Sequence, residues 1–323
     1  MRSLINKIIE PILRFFKVSQ LVFNTIDSIK KNRAVSVVKK GIKEVKVDST
    51  LIKSKFTAVV LCSDSSYHLS HFLTYYRNLG VDHFVFVLTN EDSESLNLLN
   101  SLDDCSIFQL DLGDELLPDQ EANIFNYILD KYRLDSWTLV LKAHEFIIYP
   151  HIETRNLLEL TEYLHNLEER ALFATIIDCY SDYEEIIEEP IYNHFTTFPF
   201  YDKFNFIQKE ENGIYKSIGG YQVRNEFKFE PRKTPYKNVI CLLKIDKNTR
   251  FLIGRSLLNN DKYNCPIKKD LRFISGCLMA FDLKMMERNY SKETPIYNKT
   301  TSILFDDSLQ LENQKFMQRG EWF

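Results

Sequence analysis

Between Phe56 and Asp178 the sequence alternates apolar runs of strand length with segments of helical spacing. FTAVVLCS (56–63), HFVFVLT (83–89), SIFQL (106–110), WTLVL (137–141) and ALFATIID (171–178) are near-continuous apolar runs, as strands covered on both faces are. HLSHFLTYYRNLG (68–80) places Leu69, Phe72, Leu73 and Tyr76 on one helical face, and Gly80 suits its carboxyl cap. A helix through Leu96, Leu98, Leu99 and Leu102, capped by Asp92 or Ser93, and helices over 120–133 and 157–169 fill the remaining gaps. The alternation predicts an α/β fold with a doubly wound, mostly parallel sheet and right-handed crossovers. After Asp178 the pattern weakens into an irregular carboxyl-terminal part. It is aromatic-rich over 195–265, with strand-like pieces such as NVICLLKI (238–245).

Charge divides the 323 residues unevenly. Residues 1–56 carry 13 Lys+Arg against 4 Asp+Glu, and the remainder 28 against 41. A basic leader ahead of an acidic body suits an anionic surface at the leader alone, and the body's charge argues against nucleic acid as a partner. Residues 1–20 read as an amphipathic segment, suited equally to an anionic membrane surface and to docking as a helix on the body. A Lys-rich linker (30–46) follows. The organisation is therefore a leader and linker at 1–55, a first half at 56–180, and a carboxyl-terminal part of the same domain at 181–323. No apolar run reaches the ~18 residues of a membrane span. The six cysteines are scattered without CxxC or zinc spacing, and Cys62, Cys105 and Cys179 lie in or beside apolar runs. A reducing, cytoplasmic setting fits them, with the leader on the inner face of the membrane. There is no GxGxxG after the first strand, no GxxxxGK[ST] and no GxSxG, which weighs against a dinucleotide dehydrogenase, a P-loop NTPase and an α/β-hydrolase.

The stretch VLKAHEFII (140–148) puts Lys142, His144 and Glu145 at the carboxyl end of a buried strand, where open α/β sheets bind ligands. Its surroundings resemble the bacterial family 2-like glycosyltransferases of GT-A fold whose core reads "DVDEF". YYRNLGVDH (75–83) resembles that group's "YHRxLGVDH", and VLTNEDS (87–93) its "TNDxxDGT" turn. PDQ (118–120), IDCY (177–180), FPFYD (198–202), GGYQVR (219–224) and FDDSLQL (305–311) resemble "PQ", "LLDMY", "FPYFD", "GGVRxR" and "RYEDSFQL" in the same order. The likeness spans about residues 56–315. It implies transfer of a sugar from a nucleotide-sugar donor to a glycan or lipid-linked acceptor of the cell envelope. It also implies donor contacts at Cys62, Ser63, Asp64, Asn90, Asp92, Gln120, Lys142 and His144.

In that group two carboxylates at i and i+2 hold Mg²⁺ or Mn²⁺ against the donor diphosphate. Here those positions are Lys142 and His144, only Glu145 is kept, and the group's late His falls at Ala280. Three readings follow. In the first, no metal cofactor is required, because Lys142 and a protonated His144 share a strand face and supply the positive charge. In the second, His144 and Glu145 still ligate Mg²⁺ or Mn²⁺, although the usual ligands are missing. In the third, catalysis is lost and a binding or scaffolding protein of the same fold remains. A metal-dependent hydrolase is a weaker rival, lacking the carboxylate cluster. Catalytic candidates are Asp178 and Asp202 as rival general bases, with Glu145 beside them. Each has a plainer reading: Asp178 as a strand cap, Lys142 as a partner of Glu145, and His144 as a hydrogen-bonded structural histidine. His68 and His71 read as surface residues of the first helix, Glu184 to Glu189 as a solvated loop, and most of Tyr180, Tyr183, Phe200 and Tyr201 as core.

Overall fold

TAVVLC and HFVFVL are buried at every position and form adjacent parallel strands, β2 (Thr57–Cys62) and β3 (His83–Leu88). The computed structural model describes residues 41–62, 66–89, 93–110, 118–182, 193–202, 207–211, 214–218, 220, 237–259, 274–281, 302–313 and 317. The period-2 geometry of a strand sends alternate side chains into two different cores. Ala58, Val60, Phe84, Phe86 and Leu141 enter one. Val59, Leu61, Val85, Val87 and Val140 enter the other. Helices α1 (Ser66–Asn78), α2 (Ser93–Asn100) and α4 (Leu157–Asn166) cover the first face with Phe72, Tyr76, Leu99, Leu160 and Leu164. Helix α3 (Pro118–Tyr132) covers the second with Ala122, Phe125, Ile128 and Leu129. Helices on both faces make the sheet doubly wound, and each fully buried Leu or Phe contributes about 1.5–3 kcal/mol.

The large sheet has eleven strands, nine of them in the order β1-β4-β3-β2-β5-β11-β7-β14-β6. β4 (Cys105–Leu110), β5 (Trp137–Lys142), β7 (Ala171–Tyr180) and β14 (Gly276–Ala280) run the same way as β2 and β3. β1 (Ile42–Lys46), β11 (Asn238–Lys244) and β6 (Glu145–Ile148) run against them. β8 (Phe200–Asp202) joins β7, and β15 (Ser302–Leu304) joins β8. Two hairpins form separate two-stranded sheets, β9 (Ile207–Glu211) with β10 (Ile214–Ile218), and β12 (Phe251–Ile253) with β13 (Leu257–Leu258). The mixed, mostly parallel α/β sheet is the one the alternation predicts. The linker is corrected at its end: Ile42–Lys46 is an edge strand paired antiparallel with β4, its exposed face steadied by Glu44 against Lys131, Tyr127 and Tyr132. Residues 1–40, which hold the amphipathic segment, lie outside the described residues.

β6 follows β5 after only Ala143 and His144, yet it pairs with β14, three strands further on. So short a link forces this half of the sheet to curl back on itself. Gly276 allows the close approach there, since a Cβ at that position would meet the Ile148 carbonyl oxygen at 2.9 Å. The outer edge of β6 is closed by two tyrosines of α1. The Tyr76 hydroxyl donates to the Glu145 carbonyl at 2.9 Å and accepts from the Ile147 N–H at 3.0 Å, while Tyr75 donates to the Ile147 carbonyl. The α1 carboxyl end is closed by Gly80, at φ +100°, with the Val81 N–H returning to the Tyr76 carbonyl.

Candidate functional site

β2 has β3 on one side and β5 on the other, so the winding reverses between β2 and β5. Ligands of open α/β sheets bind at such a reversal, beyond the carboxyl ends of the strands. Those ends are Cys62 on β2 and Lys142 on β5, joined laterally by the Leu61–Lys142 register and by the Ala143 N–H donating to the Leu61 carbonyl at 3.0 Å. Cys62 is buried in the first core, where its carbonyl accepts from the Thr89 N–H. Ser63, Asp64, Asn90 and Asp92 lie outside the described residues. Gln120 is half-buried in the first turn of α3.

Lys142 and His144 are both half-buried. Among the described residues neither the Lys142 ammonium nor the His144 imidazole has a hydrogen-bond partner. The expectation that they share a strand face is corrected, because Ala143 and His144 form a turn between β5 and β6. The turn is held from inside: the Glu145 carboxylate accepts the Lys142 N–H at 2.8 Å, and the His144 carbonyl accepts the Phe281 N–H at 2.9 Å.

Glu145 is only 2% exposed, and Arg255 grips both of its oxygens, at 2.7 and 2.6 Å. Arg255 also donates to the Val140 carbonyl at 3.0 Å and, through Nε, to Glu121 at 3.2 Å. Its own carbonyl accepts the Ile240 N–H at 2.8 Å. β5 and β11 pair only as far as Leu139 and Leu242, and Arg255, on the β12–β13 turn, fills the gap beyond. Burial pushes the Glu145 carboxyl up, but the Arg255 charge and hydrogen bonds outweigh it and bring it down to about 2. Glu145 is therefore a buried structural carboxylate rather than an acid or base open to a substrate. Lys142 contributes a backbone N–H to it, and the side-chain partner is Arg255.

The rival bases are committed in the same way. Asp178 is 4% exposed, and Lys237, just before β11, donates to both of its oxygens at 2.8 Å. Asp202, 1% exposed, accepts from the Tyr180 hydroxyl, which also contacts the Ser302 hydroxyl at 2.8 Å. Asp178, Ala280 and Glu145 are register partners across β7, β14 and β6, so the two carboxylates flank Ala280. Each has its own side-chain cation. Among the described residues no three His, Cys, Asp or Glu side chains converge as metal ligands. Glu145 and Asp178 do not fit a Mg²⁺ or Mn²⁺ site, because Arg255 and Lys237 already neutralise them.

His71 is not the surface residue its helix position suggests. Its Nδ1 lies 2.6 Å from Nδ1 of the fully buried His194, in an apolar surround of Phe146, Phe195 and Tyr75. Burial lowers its pKa. Tyr180 and Tyr201 are core, while Tyr183 and the run Glu184 to Glu189 lie outside the described residues. Arg255, Lys237, Glu121 and His194 had no local signal, since each is defined by a partner distant in sequence.

No family model and no curated protein matches this chain. Among solved structures, a 4-diphosphocytidyl-2C-methyl-D-erythritol synthase aligns at 10% identity and a TM-score of 0.28, covering 59% of this chain and 75% of its own. The synthase from Anaerococcus prevotii aligns at 11% identity and a TM-score of 0.25, covering 83% and 86%. Among the described residues no helix is long and apolar enough to cross a membrane.

Proposed function

We propose that this chain binds a nucleotide-sugar across the carboxyl ends of β2 and β5 and transfers its sugar to a glycan or lipid-linked acceptor of the cell envelope, with side-chain cations facing the diphosphate. One observation carries the reading. At the winding reversal, the Lys142 ammonium and the His144 imidazole have no hydrogen-bond partner among the described residues, while the candidate carboxylates Glu145, Asp178 and Asp202 are all engaged. A half-buried ammonium and an imidazole N–H suit phosphate oxygens and stabilise charge as the nucleoside diphosphate departs. The ordered resemblance of residues 56–315 to family 2-like glycosyltransferases supplies the sugar and the envelope setting.

The test is thermal unfolding with a panel of nucleoside diphosphates and nucleotide-sugars, each with EDTA or with Mn²⁺. A ligand at 100 times its Kd stabilises the folded state by about 2.7 kcal/mol. The expected result is stabilisation that persists in EDTA and is lost in Lys142→Ala, whose own melting temperature stays near that of the wild type. No response to any nucleotide, or a response only with Mn²⁺, overturns the proposal.

A second reading is binding without transfer, and the engagement of Asp178 and Asp202 favours it. Release of nucleoside diphosphate on incubation with the stabilising donor and a mixed acceptor extract separates the two. Stabilisation without release supports the binding protein. For the leader, deletion of residues 1–40 is expected to abolish sedimentation with anionic vesicles, and unchanged sedimentation removes the membrane from the proposal.

A further inference from the structure

We infer that Arg255 is the charge-balancing and positioning residue of this anion site: by holding Glu145 to itself, it leaves Lys142 and His144 uncommitted toward a diphosphate. The inference deepens the proposed function and rests on it.

Glu145 is an awkward neighbour for a phosphate site. It follows Lys142 by three residues, its Oε2 accepts the Lys142 N–H, and the charges of both Lys142 and His144 act on its carboxylate. A lone carboxylate at the root of that turn would draw the Lys142 ammonium onto itself and repel phosphate. Arg255 prevents both. Its planar fork fits the two carboxylate oxygens, which a point-charge ammonium does not match. The guanidinium is itself held, by the Val140 carbonyl on β5 and by Glu121 on α3. The backbone of Arg255 is pinned to β11 through Ile240. One side chain thus sets the separation of β5 and β11, the shape of the Lys142–Glu145 turn, and the local charge.

The formal charges make the idea testable. Glu121, Glu145 and Arg255 sum to −1 in the wild type. Arg255→Met takes the trio to −2, and adding Glu145→Gln returns it to −1. A purely structural Arg255 predicts that the double variant binds no better than the single one. Charge balance predicts rescue.

The probe is inorganic pyrophosphate, titrated calorimetrically in EDTA against the full chain, with circular dichroism and melting temperature recorded for each variant. Arg255→Met is expected to weaken pyrophosphate binding about tenfold or more, the order that one unit of charge produces in a partly buried site. Arg255→Met/Glu145→Gln is expected to recover most of that loss. Glu145→Gln alone, which keeps Arg255 and takes the trio to zero, is expected to bind more tightly than the wild type. Pyrophosphate bound as well by folded Arg255→Met as by the wild type, with binding lost in Lys142→Ala, overturns this inference and leaves the site reading standing. So does a folded double variant that recovers nothing. If Arg255→Met does not fold, Glu145→Gln decides: tighter binding supports the charge argument, and unchanged or weaker binding overturns it. A wild-type chain that ignores pyrophosphate, or a Lys142→Ala variant that binds it equally well, overturns the site reading and this inference with it.

Discussion

Lys237 donates to both carboxylate oxygens of Asp178, each at 2.8 Å, in a pair whose side chains are only 5% and 4% exposed. That geometry belongs to a buried ion pair at the junction of β7 and β11. Removing one partner of such a pair leaves an uncompensated charge and costs about 3–5 kcal/mol, whereas removing both costs much less. Lys237→Met is therefore expected to lower the urea midpoint strongly, and Lys237→Met/Asp178→Leu to regain most of it. Additive losses in the double-mutant cycle would show that the two residues do not act as a pair. The cycle also bears on function. Asp178→Asn weakens folding in either case; if Asp178 is only structural, transfer per folded molecule is kept, and if it is a general base, transfer falls beyond the loss of folded protein.

Tyr76 performs a strand's role with one hydroxyl. It donates to the Glu145 carbonyl and accepts from the Ile147 N–H on the edge of β6, inside a core that also packs Phe72 and Phe146 against its ring. Tyr76→Phe keeps the ring and deletes both hydrogen bonds. A buried polar group left unsatisfied costs about 1–3 kcal/mol, so a loss in that range is expected. Hydrogen exchange locates it: the Ile147 amide should lose protection while amides of β2 and β3 keep theirs. Unaltered protection at Ile147 would mean that the β6 edge does not depend on Tyr76.

The five parallel-running strands and the helices of residues 57–178 were legible, because burial on both faces writes continuous apolar runs and the helices between them write their own period; β6, only four residues long, was missed. The switch point was not legible: chain order does not say that β2 lies between β3 and β5. The partners of the site were not legible. Arg255 meets Glu145 across 110 residues, Lys237 meets Asp178 across 59, and His194 meets His71 across 123. An ion pair between distant segments leaves no periodic trace, so Glu145 and Asp178 read as candidate catalysts until their cations were placed. The hairpin that carries Arg255 is short, with β12 of three residues and β13 of two, too few for a pattern. The shared strand face of Lys142 and His144 failed for a related reason. The extended period holds only while the chain stays extended, and Glu145 turns it at Ala143.

Arg133 is fully buried at the end of α3 without an acidic hydrogen-bond partner among the described residues. Its guanidinium donates to the Leu51 and Ser54 carbonyls, the Ser54 and Thr138 hydroxyls, and the Trp137 carbonyl. Burial brings its pKa down to about 10, so it stays charged at neutral pH. The bonds tie the 3₁₀ turn Ser49–Ile52, which leads out of β1, to the start of β5. Arg133→Met retains the apolar stem but strips those carbonyls of their donor. A loss of ~3 kcal/mol is expected, with faster proteolysis near Ser54. Equal stability in chemical unfolding would show that water replaces the guanidinium without loss.

Mild acid is expected to weaken the fold through His83. His83 is fully buried on β3, with Nε2 at 2.9 Å from the Ser106 hydroxyl and Nδ1 at 3.2 Å from the Thr50 hydroxyl. Burial lowers its pKa from the ordinary 6.5, against a weaker upward pull from Asp48, Asp104 and Asp82. The unfolded chain therefore binds the proton more readily. Stability is complete above about pH 6.5 and falls as the pH drops toward the lower folded-state pKa, by at most ~1.4 kcal/mol per pH unit. His71, also lowered by burial, adds a second contribution of the same sign. Glu145, held to about 2, contributes stability that is lost only as the pH falls below its ordinary 4.5, so it does not confuse the window. The measurement is urea unfolding at pH 7.5 and at pH 5.5. The wild type should lose stability between the two, His83→Gln should lose less, and His71→Gln/His83→Gln should be flatter still. A wild-type stability that is level across this range, or a His83→Gln variant with the wild-type slope, would show that the buried imidazoles are not what couples this fold to pH.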